Sequence, residues 1–229
     1  MKIATWNVER PKKSSKLKNQ RILDVLNEIN ADILILTETN SLITPGEGYK
    51  PFSTSPLAGS ISEKGEEYSE GENRVTIWSK YEMTRSFETY DSATSICVGF
   101  KTPLGELNIY GTVIGIYGNR DKGFDRHLKM QLDDWKSLSE QGHICIAGDF
   151  NISFSDEYYY TKLGRQQVTE CFEKLKIEIL TGQIPANIDH VAISESFSKS
   201  VVPTIQTWNT DKDKKVSDHI GICLAFEDV

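Results

Sequence analysis

The segment ADILILTETN, residues 31–40, is a run of apolar residues that ends in polar ones. A short continuous apolar run of this kind is typical of a strand that is buried on both faces. Such a strand lies in a sheet that is covered on each side, so the chain must supply further layers of structure. This segment therefore favours a layered α/β protein.

The rest of the pattern places strands in both halves of the chain, with helices between them. Strands are predicted at 2–8, 31–40, 74–79, 83–89, 94–102, 106–118, 143–147, 188–194, 201–208 and 219–226, and helices at 14–30, 124–142 and 165–176. The irregular alternation favours helices packed outside two sheets over a doubly wound parallel sheet. We therefore expect one domain, residues 1–229, folded as a four-layer α/β/β/α sandwich: two mixed, mainly antiparallel β-sheets flanked by helices. Residues 41–73, rich in Gly, Ser, Pro and Glu, are expected to form a long excursion from this frame.

Composition limits the classes of function. The chain of 229 residues is 38% hydrophobic and 26% charged, as in ordinary globular proteins. Its net charge of −7 argues against coating nucleic acid through bulk charge, but not against a local phosphate-binding patch. It has no signal-peptide layout and no run of about 18 apolar residues, so we expect a cytosolic protein without a membrane partner. We also expect it to be a monomer. Four cysteines lie in apolar stretches and are expected to be buried, reduced thiols: Cys97, Cys145, Cys171 and Cys223.

Polar side chains lie at the ends of five apolar segments. They are Asn7 with Glu9 in TWNVE, Glu38 in LTETN, Asp149 with Asn151 in GDFN, Asp189 in NIDHVAIS, and Asp218 with His219 in SDHIGI. Any one of them alone is most often a turn former or a helix cap. As a set, their carboxylate and amide oxygens are hard ligands for the kind of divalent cation that phosphate ester hydrolysis requires. No glycine-rich phosphate loop or serine nucleophile elbow offers competing chemistry.

In this order, the motifs resemble those of the endonuclease/exonuclease/phosphatase superfamily. The segments TWNVE, LTET, GDFN, IDHVAIS and SDH span residues 5–219, and GDFN and SDH are specific in that order. The superfamily includes exonuclease III-type apurinic endonucleases, pancreatic-type deoxyribonucleases, sphingomyelinases and inositol-polyphosphate 5-phosphatases. The resemblance implies a four-layer α/β sandwich whose active site lies where the strand ends and loops of the two sheets converge.

The resemblance also implies a metal site for Mg²⁺ or Mn²⁺. Glu38 resembles the principal metal-binding carboxylate of the family, and Asp218 resembles an additional ligand. The metal set that the resemblance implies is Asn7, Glu38, Asp149, Asn151 and Asp218.

A catalytic set follows from the same resemblance. Asp149 matches the acid that holds or deprotonates the attacking water, and Asn151 matches its partner in orienting that water. His219 resembles the histidine that donates to a phosphate oxygen, and Asp189 the acid that orients it. A carboxylate that is hydrogen-bonded to imidazole also fixes the tautomer of the ring. The residues implied to contact the substrate phosphate are Asn7, Asn151 and His219.

Some positions depart from the family pattern. Glu9 stands where many nucleases of the family have Asp, and it either reaches a second metal or bonds a neighbouring loop. Thr37 replaces the more usual Gln before the glutamate. Family members commonly place a catalytic Tyr or His at the end of the strand near 108–119, and the leaving-group acid stays open here. Depending on register, three residues are available: Tyr110, Val113 and Tyr117.

Charged segments near the predicted site bear on the substrate. Residues 10–21 carry six Lys or Arg and no acid, residues 210–215 add three lysines, and Arg120 and Lys122 follow the tyrosine strand. These charges form either a solvated face or contacts with a phosphate backbone. The acidic segment 63–72 would repel phosphate, so we expect it to face away from the site or to be mobile.

The sequence therefore favours a divalent-metal-dependent phosphodiester hydrolase, a nuclease acting on DNA. One alternative is a phosphatase or phosphodiesterase for a small phosphorylated molecule or lipid head group, and another is a non-catalytic binding protein on the same scaffold. Trp208 is the best candidate for a side chain that wedges into a duplex, with strand-end packing as its alternative role. The other histidines are predicted to be structural or surface residues: His127, His143 and His190.

Overall fold

The structure is a computed structural model, and it describes all residues except 62–64, 66, 117, 119–122, 160, 199–201, 212, 214 and 227–229. The elements of the first half are β1 (Lys2–Asn7), α1 (Lys16–Ile29), β2 (Ile33–Asn40), β3 (Lys50–Ser53), β4 (Glu72–Ser79), β5 (Met83–Phe87), β6 (Ser95–Thr102) and β7 (Gly105–Val113). Those of the second half are α2 (Phe124–Ser139), β8 (Ile144–Asp149), α3 (Lys162–Leu175), β9 (Ile177–Ile179), β10 (Asp189–Ser194), α4 (Glu195–Ser198), β11 (Thr204–Trp208) and β12 (Gly221–Ala225).

Two six-stranded sheets form the centre of the molecule. Their strand orders are β11-β12-β1-β2-β4-β3 and β5-β6-β7-β8-β10-β9. Each sheet contains one parallel pair, β1 with β2 and β7 with β8, and its other pairs are antiparallel. The prediction of two mixed, mainly antiparallel sheets is confirmed.

Apolar side chains from both sheets meet in a central core. Strand β2 shows how the layers arise, because successive side chains point to opposite faces of a sheet. Ile33 and Ile35 pack in the core between the sheets, whereas Leu34 and Leu36 pack in the core that includes α1. All four are buried, so the strand is covered on both faces, as its continuous apolar run predicts.

Helices cover the outer face of each sheet. The α1 residues Ile22 and Leu26 share a core with Trp6 of the first sheet. On the other side, Trp135 of α2 and Phe172 of α3 pack together, with their ring centroids 5.1 Å apart, in the core of the second sheet. The result is the predicted four-layer α/β sandwich.

The strand arrangement brings the polar strand ends to one edge of the sandwich. Strands β1 and β2 run parallel, so Asn7 pairs with Thr37, one residue before Glu38. Strands β7 and β8 also run parallel, and the antiparallel β10 places Asp189 directly opposite Asp149. Because β12 runs antiparallel to β1, the residues that precede it lie at the same edge.

The sequence predictions omit the short elements β3, β9 and α4, and they extend β7 too far. Strand β7 ends at Val113 rather than 118, because Gly115 adopts φ 65° in the turn that follows. Strand β3 lies within the predicted excursion and is mostly exposed at the sheet edge, so it lacks an apolar run. Strand β9 and helix α4 are too short to produce a period. No helix within the described residues is long and apolar enough to cross a membrane.

Candidate active site

Asn7 joins the two sheets at their shared edge. Its amide nitrogen lies 3.2 Å from Glu38 Oε1 and 3.2 Å from Asp149 Oδ2. Its amide oxygen accepts the backbone N–H of Glu9 at 2.9 Å. The amide hydrogens therefore face both carboxylates, and a residue of β1 contacts an acid from each sheet.

The backbone around Glu38, within strand β2, is unusual. Glu9, Arg10 and Glu38 all have positive φ angles, of 54°, 47° and 46°. The Arg10 backbone N–H donates to the Glu38 carbonyl at 2.8 Å, and the Val8 N–H donates to the Thr37 carbonyl at 3.0 Å. Non-glycine residues in this region cost about 1–3 kcal/mol each, and such residues cluster at functional sites.

The GDFN segment is held by its own backbone. Asp149 is 2% exposed, and its Oδ1 accepts the Asn151 backbone N–H at 2.9 Å. Asn151 itself has φ 52°, and its amide nitrogen donates to the carbonyls of Ile114 and Gly115 at 3.0 and 3.1 Å. Because both amide hydrogens are used, Asn151 can present its side-chain oxygen to the cleft but not a donor to phosphate.

Asp189 and His219 form a buried acid–imidazole pair. His219 Nδ1 lies 2.6 Å from Asp189 Oδ2, and Asp189 is 1% exposed. The Ser217 hydroxyl donates to the Asn7 carbonyl at 2.7 Å and accepts the His219 backbone N–H at 3.2 Å. The loop that carries His219 is thus tied to β1. Because Nδ1 is bonded to Asp189, Nε2 is the ring nitrogen that faces Asp218, whose Oδ1 lies 3.6 Å away.

Burial dominates the electrostatics of this cluster. It raises the pKa of Asp149 to about 7, with the charges of Asp189 and Glu38 adding to the rise. Burial also raises the pKa of Glu38, against the hydrogen bond from Asn7. Burial opposes a charge on His219, but the Asp189 carboxylate, with Asp149 and Asp218, holds its pKa well above the usual range.

The donor set fits a hard divalent cation. One ligand atom each from Asp149, Asp189 and His219 lies within 4.8 Å of the others, although His219 and Asp189 already bond each other. Among the described residues, the buried Asp189 Oδ1 has no hydrogen-bond partner. Glu38 and Asp149 place further carboxylate oxygens around the same amide, and clustered carboxylates of this kind are stabilised by a cation.

A cleft of about 330 Å³ contains this cluster. Its lining includes Glu38, Asp149, Asn151, Asp218 and His219. Five of the sequence-predicted residues therefore share one cavity, and Asn7 and Asp189 lie directly behind it in contact with them. Asp218 lies at the rim, where its side chain is 73% exposed.

The structure shows what the residues that differ from the family pattern contact. Glu9 Oε2 bonds Lys18 Nζ of α1 at 2.7 Å, so its side chain bonds a neighbouring element instead of pointing into the cleft. Thr37 is fully buried in β2.

Of the candidates for the leaving-group acid, Tyr110 is fully buried, and its hydroxyl donates to Asp134 of α2 at 2.8 Å. It lies on the helix side of the sheet and cannot reach a leaving group, and Val113 is buried in the central core. Tyr117 lies outside the described residues.

The described basic residues divide between the two alternatives, a solvated face and a position near the predicted site. Of residues 10–21, Arg10 lines the cleft, whereas Arg21 and Lys18 lie elsewhere. Lys215 lines an adjoining groove, and the other predicted basic residues lie outside the described residues: Arg120, Lys122, Lys212 and Lys214.

The expectation that the acidic segment 63–72 faces away from the site is wrong for its described C-terminal part. Tyr68 and Glu72 both line the cleft. Glu72 is buried and pairs with Arg10 Nε at 2.9 Å, so its charge is opposed by a cation.

The cleft residues that sequence reasoning missed include Tyr68, Glu72, Arg74 and Tyr159. Tyr159 follows GDFN, and a Cβ added to Gly118 would overlap its hydroxyl. Of these four residues, only Arg74 carried a signal in the sequence. It lies at the start of the predicted strand 74–79, and polar residues at strand ends were the signal that identified the other site residues.

The tryptophan, the other histidines and the cysteines considered in the sequence analysis are not among the residues that line the cleft. Trp208 packs edge-to-face against Trp6, with ring centroids 5.8 Å apart, so it is a packing residue. His190 is fully buried, His127 is buried on α2, and His143 is exposed. All four cysteines are free and buried, as expected.

Comparisons with known proteins agree with this architecture. A sequence model of the endonuclease/exonuclease/phosphatase family matches residues 4–219. No curated protein sequence matches the chain significantly.

Solved structures match almost the whole chain at low identity. An AP endonuclease from Archaeoglobus fulgidus is 14% identical with a TM-score of 0.70, covering 99% of each chain. The 3′ phosphatase NExo from Neisseria, bound to a product DNA hairpin, is 15% identical with a TM-score of 0.69, also covering 99% of each chain. A humanized TDP2 of D. rerio is 14% identical with a TM-score of 0.69, covering 99% of this chain and 98% of that one. At these identities the structural matches establish the fold. The family match over nearly the whole length goes further: the chain belongs to the endonuclease/exonuclease/phosphatase family.

Proposed function

We propose that this protein is a divalent-metal-dependent phosphodiester hydrolase, a nuclease that acts on DNA as a single-domain cytoplasmic monomer. The observation that carries the proposal is the convergence of Glu38, Asp149 and His219 in one cleft, from segments far apart in sequence. Membership of a family of nucleases and phosphatases supports the reaction class.

Asp149 acts on the attacking water. Its carboxylate is held by the Asn151 N–H on one oxygen and by Asn7 on the other, so its orientation is set before substrate binds. Burial raises its pKa to about 7, which suits a group that accepts a proton near neutral pH. The side-chain oxygen of Asn151 helps to orient the water, since its nitrogen is already engaged.

His219 stabilises the charge that builds up on the phosphoryl group. Asp189 holds Nδ1, so the ring directs Nε2 toward the cleft. The raised pKa of His219 keeps the imidazole protonated, and a fixed cationic donor lowers the barrier where negative charge develops.

The residues also fit the metal that the proposal requires. Glu38, Asp149 and Asp218 would hold Mg²⁺ or Mn²⁺, with Asn151 contributing its oxygen. Asn7 acts as the donor that orients the two buried carboxylates. When bound, the cation supplies Lewis-acid polarisation of a phosphoryl oxygen.

DNA is proposed as the substrate because two structurally similar proteins are named for DNA chemistry: the AP endonuclease and the NExo protein bound to a DNA hairpin. The second candidate is hydrolysis of a small phosphorylated molecule or lipid head group. NExo is named as a 3′ phosphatase, which supports a phosphomonoester reaction on the same fold. The complete acid and histidine set argues against a non-catalytic binding protein.

A substrate panel tests the proposal. Single-stranded, duplex and abasic DNA and RNA are compared with inositol and nucleotide esters, each with Mg²⁺ or Mn²⁺ and with a chelator. We expect DNA turnover that the chelator abolishes, and a loss of about 10²–10⁴-fold in kcat for Asp149→Asn. The control Asp133→Asn removes an exposed carboxylate of α2 and should retain wild-type kcat. Turnover of the small esters alone would favour the second candidate, and no turnover at all would favour a binding protein.

A further inference from the structure

One side of the active-site cleft carries two arginines packed on one tyrosine. Arg10, Tyr68 and Arg74, together called the arginine wall, line the same cleft as Asp149 and His219. The guanidinium carbon of Arg10 lies 4.8 Å from the centroid of the Tyr68 ring, and that of Arg74 lies 5.4 Å from it. Two cations therefore lie beside an acidic, metal-binding cluster, where the hydrolytic chemistry proposed above does not use them.

Arg10 is fixed in place by a buried acid. Its Nε lies 2.9 Å from Glu72 Oε2, and Glu72 is 1% exposed. Glu72 also accepts the Ser69 backbone N–H at 3.0 Å, which anchors the carboxylate to the segment that carries Tyr68. The charge of Arg10 is thus opposed within the protein, and its guanidinium serves as one support of the Tyr68 ring.

Arg74 differs from Arg10 in its charge balance. Its Nη2 donates to the Tyr68 hydroxyl at 3.0 Å, a neutral partner that orients the guanidinium without neutralising it. The ion pairs formed among the described residues include Arg10 but not Arg74. Since the planar guanidinium matches phosphate oxygens in a two-point contact, Arg74 is suited to bind an anion of the ligand.

The cleft has room for a second anionic group beside the scissile phosphate. At about 330 Å³ it falls in the range of pockets that enclose whole small ligands, about 300–1,000 Å³, and exceeds the needs of one phosphoryl group. The scissile phosphate is already served by Asp149, His219 and the metal ligands. The arginine wall is therefore available to bind a second anionic group of the same ligand.

We infer that Arg74 binds a second phosphate of the substrate, next to the scissile phosphate, and that the substrate class is an oligonucleotide carrying at least two neighbouring phosphates. This inference rests on the proposed function. The second phosphate is either an internal phosphodiester or a terminal phosphomonoester, because the guanidinium recognises the oxygens that both share.

Four substrates test the inference in the presence of Mg²⁺ or Mn²⁺. Two carry one phosphate: bis(p-nitrophenyl) phosphate and a dinucleoside monophosphate. Two carry a second phosphate: a trinucleoside diphosphate and the same dinucleotide with a terminal phosphate. Wild-type enzyme should prefer the second pair in kcat/KM, and whichever of the two gains more identifies the source of the second phosphate.

Arg74→Gln should lower the preference for two-phosphate substrates about tenfold, mainly through KM, as loss of one charge-assisted contact predicts. The dependence of log KM on log salt should become shallower by about one unit for a longer single strand. Arg74→Lys keeps the charge without the planar group and should give an intermediate preference. It also provides a readout if Arg74→Gln does not fold.

Arg85→Gln is the matched control, because Arg85 also packs on an aromatic ring, with its guanidinium carbon 4.8 Å from the Phe87 centroid, but lies on β5 away from the cleft. It should leave the preference and the salt dependence at wild-type values. Equal losses on one-phosphate and two-phosphate substrates for Arg74→Gln would overturn the inference and leave the proposed function standing. No turnover of any of the four by wild-type enzyme would overturn both.

Discussion

At the scale of single residues, hydrogen-bond partners decide what each polar side chain presents to the cleft. Asn7 turns its nitrogen toward two carboxylates because Glu9 occupies its oxygen, whereas Asn151 turns its nitrogen toward two carbonyls. Asn7 therefore offers hydrogen-bond donors to the site carboxylates, whereas Asn151 has only its acceptor oxygen left for the cleft. Tyr110 is a third case, because its hydroxyl is committed to Asp134 behind the sheet.

Tyr110→Phe tests whether this tyrosine takes part in catalysis. The change removes a buried hydroxyl that bonds Asp134 at 2.8 Å, so we expect a stability loss of about 1–3 kcal/mol from the unpaired acceptor. Turnover should stay within about twofold of wild type, because the ring lies outside the cleft. Urea unfolding and kcat measurements check the two expectations, and a hundredfold drop in kcat at wild-type stability would contradict them.

The buried His190 should lower the free energy of unfolding in acid. Burial lowers its pKa from 6.5 to about 4, where its ring nitrogens bond the Ile152 carbonyl and the Thr181 hydroxyl. Between pH 6.5 and pH 4 the unfolded chain binds a proton at this histidine that the folded chain excludes. The contribution of neutral His190 to the free energy of unfolding is therefore complete above pH 6.5. It falls by up to about 3 kcal/mol as the pH drops to 4.

Urea unfolding at pH 7 and pH 4.5 measures this effect in wild type and in His190→Gln. The variant should be less stable at pH 7 but should lose less stability in acid. His143→Gln, at an exposed position, should keep the wild-type dependence on pH. Equal acid losses in wild type and His190→Gln would refute the assignment.

At the scale of elements, close backbone contact sets how β8 delivers Asp149. Gly148 has φ 135°, and a Cβ at this position would overlap the Thr112 carbonyl of the neighbouring β7. Strands β7 and β8 can pair up to Asp149 only because this residue has no side chain. The glycine in GDFN is therefore a requirement of the sheet.

Gly148→Ala should destabilise the protein by more than about 3 kcal/mol, because it combines an unfavourable φ with overlap against a backbone that cannot move freely. Gly105→Ala separates the two causes. Gly105 has φ 117° but nothing within 4 Å of an added Cβ, so this variant should show the smaller loss due to strain alone. Thermal or urea unfolding measures both, and equal losses would show that the Thr112 contact costs nothing.

At the scale of the whole molecule, the site is a junction between the two sheets. Glu38 comes from the first sheet and Asp149 from the second, and Asn7 contacts both. A cation bound by both acids would therefore connect the two halves of the sandwich and stabilise the folded state over the unfolded one.

Mg²⁺ or Mn²⁺ should raise the Tm in a saturable way, by an amount that corresponds to about 2.7 kcal/mol at a hundredfold excess over Kd. A chelator should reverse the rise. Glu38→Gln should reduce it strongly, whereas Glu106→Gln, which removes an exposed acid of β7, should not. Differential scanning fluorimetry across metal concentrations checks this, and an identical rise in Glu38→Gln would exclude Glu38 as a ligand.

The sequence determined the layered fold and the acidic, amide and histidine residues that cluster in the cleft. Apolar runs such as 31–40 require burial on both faces, and polar residues at successive strand ends must meet wherever the strands share an edge. That reasoning found Glu38, Asp149 and His219 without coordinates. It could not choose among Tyr110, Val113 and Tyr117, because a shift of one residue in register reverses every side chain of a strand.

Only the tertiary structure decided which atoms each asparagine presents, which charges face the cleft and which are neutralised. Arg10 and Arg74 look alike in the sequence, yet one is paired with the buried Glu72 and the other is oriented by the Tyr68 hydroxyl. These differences depend on contacts between residues separated by long stretches of chain. Local pattern carries no information about such contacts, since they arise only when packing brings the segments together.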